Sequence, residues 1–170
     1  MPEHANVFLD PLAAGAARAG RRLADLDLVI PVAVEFTEDA DAAERRHADG
    51  YAFTIGAMGS RDQNFYNAAF TRQGYGDDVT AVQQLWLAGR RTEAADRVPL
   101  ELGAKTNLIG TPAMVADRLR RYRDSGVGTV QAKLDGDPTA RLDTLAQLVE
   151  LSAAVSRERP EEESGASRSG

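Results

Sequence analysis

Residues 51–75 combine side chains in a way that suits a ligand pocket. Gly56 and Gly59 flank Ala57-Met58, the polar string Ser60-Arg61-Asp62-Gln63-Asn64 follows, and Phe65-Tyr66 comes next. Glycines let backbone come close to a bound molecule. A few placed polar groups among aromatics is how small-molecule pockets are lined. The stretch also holds six of the nine Phe and Tyr residues of the chain, so the aromatics are concentrated rather than scattered. The same residues admit a second reading, in which a helix breaks, a new one begins, and Phe65 and Tyr66 anchor the core. Under that reading Gln63, Asn64 and Asn67 each need a hydrogen-bond partner if buried.

Other residues offer less. Gly110-Thr111 leaves a strand and opens a helix, so its N–H groups suit a phosphate, but the same pattern is an ordinary turn between strand and helix. Lys133, one of two lysines, ends a strand. It either faces a site at the strand's carboxyl end or guards a sheet edge. His4 and His47 lack a triad partner or a second ligand at metal spacing and read as solvated surface residues, with no hydrolase triad or zinc site. Glu161-Glu162-Glu163 and Asp77-Asp78 read as solvated tail and helix start, and Arg118, Arg120, Arg121 and Arg123 as the outer face of a helix. No Walker or GxGxxG pattern occurs.

These residues sit on alternating strands and helices. Residues 8–20 read as an Ala-rich helix interrupted by Pro11 and Gly15. Leu26–Phe36 is nearly continuous in β-formers, as in a parallel strand covered on both faces, although Pro31 removes one ladder donor. A helix with Asp39 and Asp41 at its start follows. Beyond the glycine-aromatic stretch, Asp78–Ala88 carries Val79, Val82, Leu85 and Trp86 on one face, Thr92–Val98 is a shorter helix, and Pro99–Asn107 reads as a connector. Leu108-Ile109-Gly110 is a very short strand. Thr111 then caps a helix that has Pro112 at its first position. Val127–Leu134 is another strand, and Asp137 caps a last helix with Leu142, Leu145, Leu148, Val149 and Val155 inward. Residues 157–170 have the composition of a disordered tail, leaving 1–156 as one unit.

The order implies parallel βαβ units. Three strands with this much helix neither close a barrel nor make a good open sheet, so the chain reads as a segment of a larger α/β fold. Composition narrows the function. A net charge of −6 argues against nucleic acid as a partner. The absence of cysteine excludes a disulfide scaffold and a thiolate nucleophile. With no apolar run long enough for a membrane span, a cytoplasmic protein acting on a small molecule is expected.

The stretch Tyr51–Arg61, then Asn64-Phe65-Tyr66-Asn67, Gly74-Tyr75, Gln84–Arg90, Val98-Pro99, Leu108–Pro112, Leu119, Tyr122, Arg123 and Gly126-Val127, together resemble the luciferase-like monooxygenase superfamily. The resemblance is to its deazaflavin (coenzyme F420)-dependent oxidoreductases, over about residues 3–155. It implies the C-terminal half of a (β/α)8 TIM barrel, helix-rich, with about three parallel strands. It implies hydride transfer with coenzyme F420, or FMN in the flavin-using branch. Gly59, Ser60, Asn64 and Tyr66 are then expected near the barrel mouth, and Gly110 and Thr111 near a phosphate-bearing tail; no catalytic proton donor is assigned. Expected partners are a complementary N-terminal half-barrel or a second copy of the chain. A non-catalytic half-barrel remnant is the alternative.

Overall fold

Val29–Phe36 forms β1, the central strand of a three-stranded parallel sheet, in a computed structural model that describes residues 1–59 and 64–158. Leu108–Gly110 (β2) pairs with the last three residues of β1, and Thr129–Lys133 (β3) pairs with its first five. The order is therefore β2-β1-β3. Pro31 sits in the middle of β1 without breaking the ladder, for a geometric reason. Alternate residues of a strand hydrogen-bond to the same side, and Ala33 N–H points to the β2 side, where the Asn107 side chain accepts it at 2.8 Å. The missing donor of Pro31 faces that same side, at a level that β2 does not reach.

Among the described residues, eight α-helices accompany the sheet: α1 (Asn6–Arg18), α2 (Ala40–Ala57), α3 (Phe65–Phe70), α4 (Gly76–Leu87), α5 (Arg91–Asp96), α6 (Glu101–Thr106), α7 (Pro112–Asp124) and α8 (Pro138–Arg157). Caps set several starts. Asp39, Thr111 and Asp137 each accept a backbone N–H from the first turn that follows, which satisfies donors a helix leaves unpaired. Residues 101–106 form a helix rather than the expected connector, because Leu102 and Gly103 are buried against α2. A Cβ at Gly103 would lie 3.0 Å from Glu44 Cγ, so glycine permits that close crossing.

Two apolar cores result. The first lies among α2, α4, α5 and α6, with Ile55, Val79, Val82, Ala94 and Leu102 fully buried. The second lies between the sheet and α7 and α8, built from Val32, Val34, Leu108, Val115, Leu119, Leu148 and Val155. Asn107 joins them. Its amide nitrogen donates to Tyr51 Oη on α2 at 2.8 Å and to the Gly103 carbonyl at 3.1 Å, while its oxygen holds β1. Tyr51 also hydrogen-bonds Thr106, whose carbonyl accepts from Tyr122 Oη on α7 at 3.0 Å. Burial raises the pKa of the Tyr51 phenol and pushes that of Tyr122 up to about 12, so both hydroxyls serve as neutral donors in this seam.

Among the described residues, β1 and β3 are covered on one side only, whereas β2 is buried throughout. Ile30, Val32, Val130 and Ala132 face the second core, whereas Val29, Pro31, Thr129, Gln131 and Lys133 are exposed on the other face. The register puts Val29 beside Thr129, Pro31 beside Gln131 and Ala33 beside Lys133, so these residues form one continuous bare surface. Helix α8 departs from expectation in a related way. Leu148 and Val155 are buried, but Leu142 and Val149, 66% and 58% exposed, and Leu145 point outward. The apolar periodicity of α8 serves two faces, and only one of them has a partner here.

Candidate functional site

Parallel sheets place their chemistry at the carboxyl ends of the strands, where the loops to the following helices gather. Here that end carries a concavity of about 480 Å³ lined by Ala33, Glu35 and Phe36 of β1, Arg46 and His47 of α2, and Asp135 and Thr144 from beyond β3. Glu35 is the only charged residue of β1 and comes just before its end. Arg46 pairs with one carboxylate oxygen of Glu35, and His47 Nε2 lies 3.7 Å from the other. A carboxylate paired with an arginine is a fixed acceptor, suited to orienting a polar ligand. Lys133 ends β3 beside Ala33 on the bare face, and its ammonium makes no ion pair among the described residues. The rim thus offers one anchored anion and one free cation.

Gly110 and Thr111 belong to the same end, because the Gly110 carbonyl accepts the Thr37 N–H at 3.0 Å just past β1. Gly110 has a φ of 124°, which favours glycine. The space a Cβ would take is already occupied by Met114, whose Sδ would lie 2.8 Å away. Thr111 Oγ1 is engaged in accepting the Met114 N–H. Glycine here serves helix packing and capping, and what the turn keeps for an anion is the N-terminal end of α7.

Gly59, Asn64 and Tyr66 are not near this rim. They follow the far end of α2, which runs 18 residues, or about 27 Å, from its start beside the end of β1. The expectation that they sit where the strand–helix loops gather is corrected: the long helix carries them away. Ser60 lies outside the described residues. Asn64 is buried and its amide is fully used, with the oxygen accepting the Asn67 N–H at 2.9 Å and the nitrogen donating to the Ile55 carbonyl at 2.6 Å. Asn67 donates to Gln83 at 3.2 Å. Tyr66 rests edge-on against Phe65, with ring centroids 5.7 Å apart. Neither ring anchors the core: Phe65 is 69% and Tyr66 40% exposed. At Gly56, Trp86 of α4 packs into the volume a Cβ would need. The block joins helices through glycine and asparagine.

Glu35, Arg46, His47 and Asp135 were missed as a group. One signal was available: a lone acid just before the carboxyl end of an apolar strand. Arg46 and His47 gave none, since adjacent polar residues on a helix read as solvent-facing until the crossing of α2 over β1 is known. Of the arginines on α7, Arg121 is exposed as expected and Arg120 is half-buried. Arg118 instead is largely buried, donating to the Ala104 carbonyl at 3.1 Å and pairing with Glu3.

Comparison with known proteins adds what geometry cannot. The family model for luciferase-like monooxygenases matches residues 1–129. A Mycobacterium tuberculosis protein named as a coenzyme F420-dependent oxidoreductase is 30% identical over 128 residues, which is 74% of this chain and 37% of that protein. The solved coenzyme F420-dependent tetrahydromethanopterin reductase of Methanopyrus kandleri shares the fold, with a TM-score of 0.58 at 22% identity. It covers 88% of this chain and 41% of its own. The chain therefore spans well under half the length of each. Among the described residues, no helix is long and apolar enough to cross a membrane.

Proposed function

The chain belongs to the luciferase-like monooxygenase family, and from that membership we propose that it is the carboxyl-terminal barrel portion of an oxidoreductase that uses coenzyme F420 for hydride transfer. The observation that carries this reading is the bare, partly polar sheet face, which ends at Glu35 and Lys133 on strands of a family fold. In such an enzyme the cofactor supplies the hydride, and the protein binds, orients and keeps out water.

The residues fit that cofactor in part. Lys133 and the N-terminal end of α7 suit the anionic portion of the molecule. Glu35, fixed by Arg46 and His47, can accept from a ring N–H or a substrate hydroxyl. Phe65 and Tyr66 stand a helix length away and form no bed for the flat ring at this rim, and no chemical step is derived from the described residues. Its place falls to further βα units packed on the bare face.

A chimera tests this. The present chain replaces the matching segment of the Mycobacterium tuberculosis relative, and F420 and FMN are titrated by absorbance and fluorescence. Saturation by F420 and not by FMN is expected, with affinity reduced severalfold by Lys133→Ala. A folded chimera that binds only FMN removes the cofactor assignment. Micromolar F420 binding by the 170-residue chain alone overturns its reading as a portion of the site.

A further inference from the structure

We infer that the cavity at the amino ends of the strands is a binding site for a small aliphatic amine. It lies at the opposite end of the parallel sheet from Glu35, so it stands independently of the cofactor reading. Its volume is about 530 Å³, within the range of pockets that hold small organic molecules. Segments distant in sequence enclose it: Phe8 and Leu12 of α1, Leu28 and Ile30 at the start of β1, and Tyr122 and Val127 around the end of α7.

The fold leaves this space unfilled. Phe8 and Leu12 lie one helical turn apart on one side of α1, yet the only buried residue of that helix is Ala16. Leu12 remains 43% exposed, and Val29 at the first position of β1 is 50% exposed. Water is a poor occupant, because it needs about two to four polar partners and these walls are mostly apolar. An aliphatic chain gains the burial that α1 leaves undone.

One side chain sets the chemistry of the ligand's head. Asp27 is the only charged side chain lining the cavity. The Thr129 hydroxyl holds it in place, 3.1 Å from each carboxylate oxygen. Gly128 keeps the carboxylate's space clear, since a Cβ there would come within 2.7 Å of Asp27 Oδ1. With that single hydroxyl donor among the described residues, most of its acceptor sites stay open. An ammonium group satisfies them with charge-assisted hydrogen bonds, whereas a carboxylate head is repelled. The Tyr122 hydroxyl is spent on the Thr106 carbonyl at 3.0 Å. Its ring therefore serves as wall, with a face that favours a cation.

Isothermal titration calorimetry on the full 170-residue chain tests this, with n-octylamine, n-octanol and octanoate as probes below their micellar concentrations. Octylamine is expected to saturate one site, octanol to bind about tenfold more weakly, and octanoate not to bind. Asp27→Asn should bring octylamine down to the affinity of octanol while leaving octanol unchanged. Leu12→Trp, at an exposed edge of the cavity, should fill it and lose both ligands with the circular dichroism unaltered. Amide chemical shifts of the unmodified chain read the site without a variant: octylamine should move residues 8–12 and 27–30 and leave 35, 46 and 47 in place. Absent or unsaturable octylamine binding, equal affinity for octanoate, an affinity indifferent to Asp27→Asn or to Leu12→Trp, or shifts that map elsewhere overturn the inference.

Discussion

The helical unit of α2 to α6 closes on itself, while the sheet with α7 and α8 is finished on one face and bare on the other. In the first, glycines at 56 and 103 admit Trp86 and Glu44, and buried Asn64 and Gln73 both find partners. In the second, five of the sixteen strand residues and one row of α8 are exposed. A closed unit spends its unusual residues on its own packing. An open layer leaves side chains that no packing among the described residues uses, and that is where function is sought.

The sharpest way to break this contrast is to cut into the closed unit. Leu102→Ala removes a fully buried side chain and is expected to cost about 2–5 kcal/mol in urea unfolding. A loss below 1 kcal/mol would mean the helical unit is not packed as described. Next comes the seam. Asn107→Ala leaves Ala33 N–H and Tyr51 Oη without that partner and should cost about 1–3 kcal/mol. Combined with Tyr51→Phe it should lose less than the sum, since both variants delete one network; full additivity would separate the two cores.

A smaller effect comes from Glu44, buried on α2. Burial, and then the charge of Asp41, raises its pKa above the ordinary 4.5. A raised carboxyl pKa means that the folded state binds more protons than the unfolded state as pH climbs past 4.5, so stability falls through that window. Glu44→Gln should therefore raise the Tm at pH 7 and leave it unchanged below pH 4; equal gains at both pH values would contradict the assignment. Smallest of all is the bare face. Lys133→Ala and Gln131→Ala should each change the stability of the chain by less than about 0.5 kcal/mol, and on the function proposed above Lys133→Ala is expected to weaken F420 binding in the chimera. A stability loss of more than 1 kcal/mol at either position would show that the face is already covered.

Much of this architecture was legible in the amino-acid order. Asp39, Thr111-Pro112 and Asp137-Pro138 announced three helix starts, because capping is a local exchange between one side chain and the next few N–H groups. The β-forming runs at 26–36 and 127–134 marked strands, which form at 29–36 and 129–133. Helix α6 was not visible, since Glu101–Thr106 owes its existence to Gly103 lying on Glu44. The two faces of α8 were not separable either: periodicity says a residue is apolar, and not whether its neighbour is present. Pro31 looked like an obstacle until the short reach of β2 showed that its side has no ladder to interrupt.

The candidate site divides in the same way. From the residues alone came the parallel α/β character, the family resemblance, Lys133 at a strand end and Gly110-Thr111 at a helix start, all carried by short-range pattern. Only the three-dimensional fold could place Gly59, Asn64 and Tyr66 beyond a helix about 27 Å long, gather Glu35, Arg46, His47 and Asp135, and leave one face of β1 and β3 uncovered among the described residues. Those are relations between segments far apart in the chain, set by how helices cross and how strands register, and no local propensity encodes them.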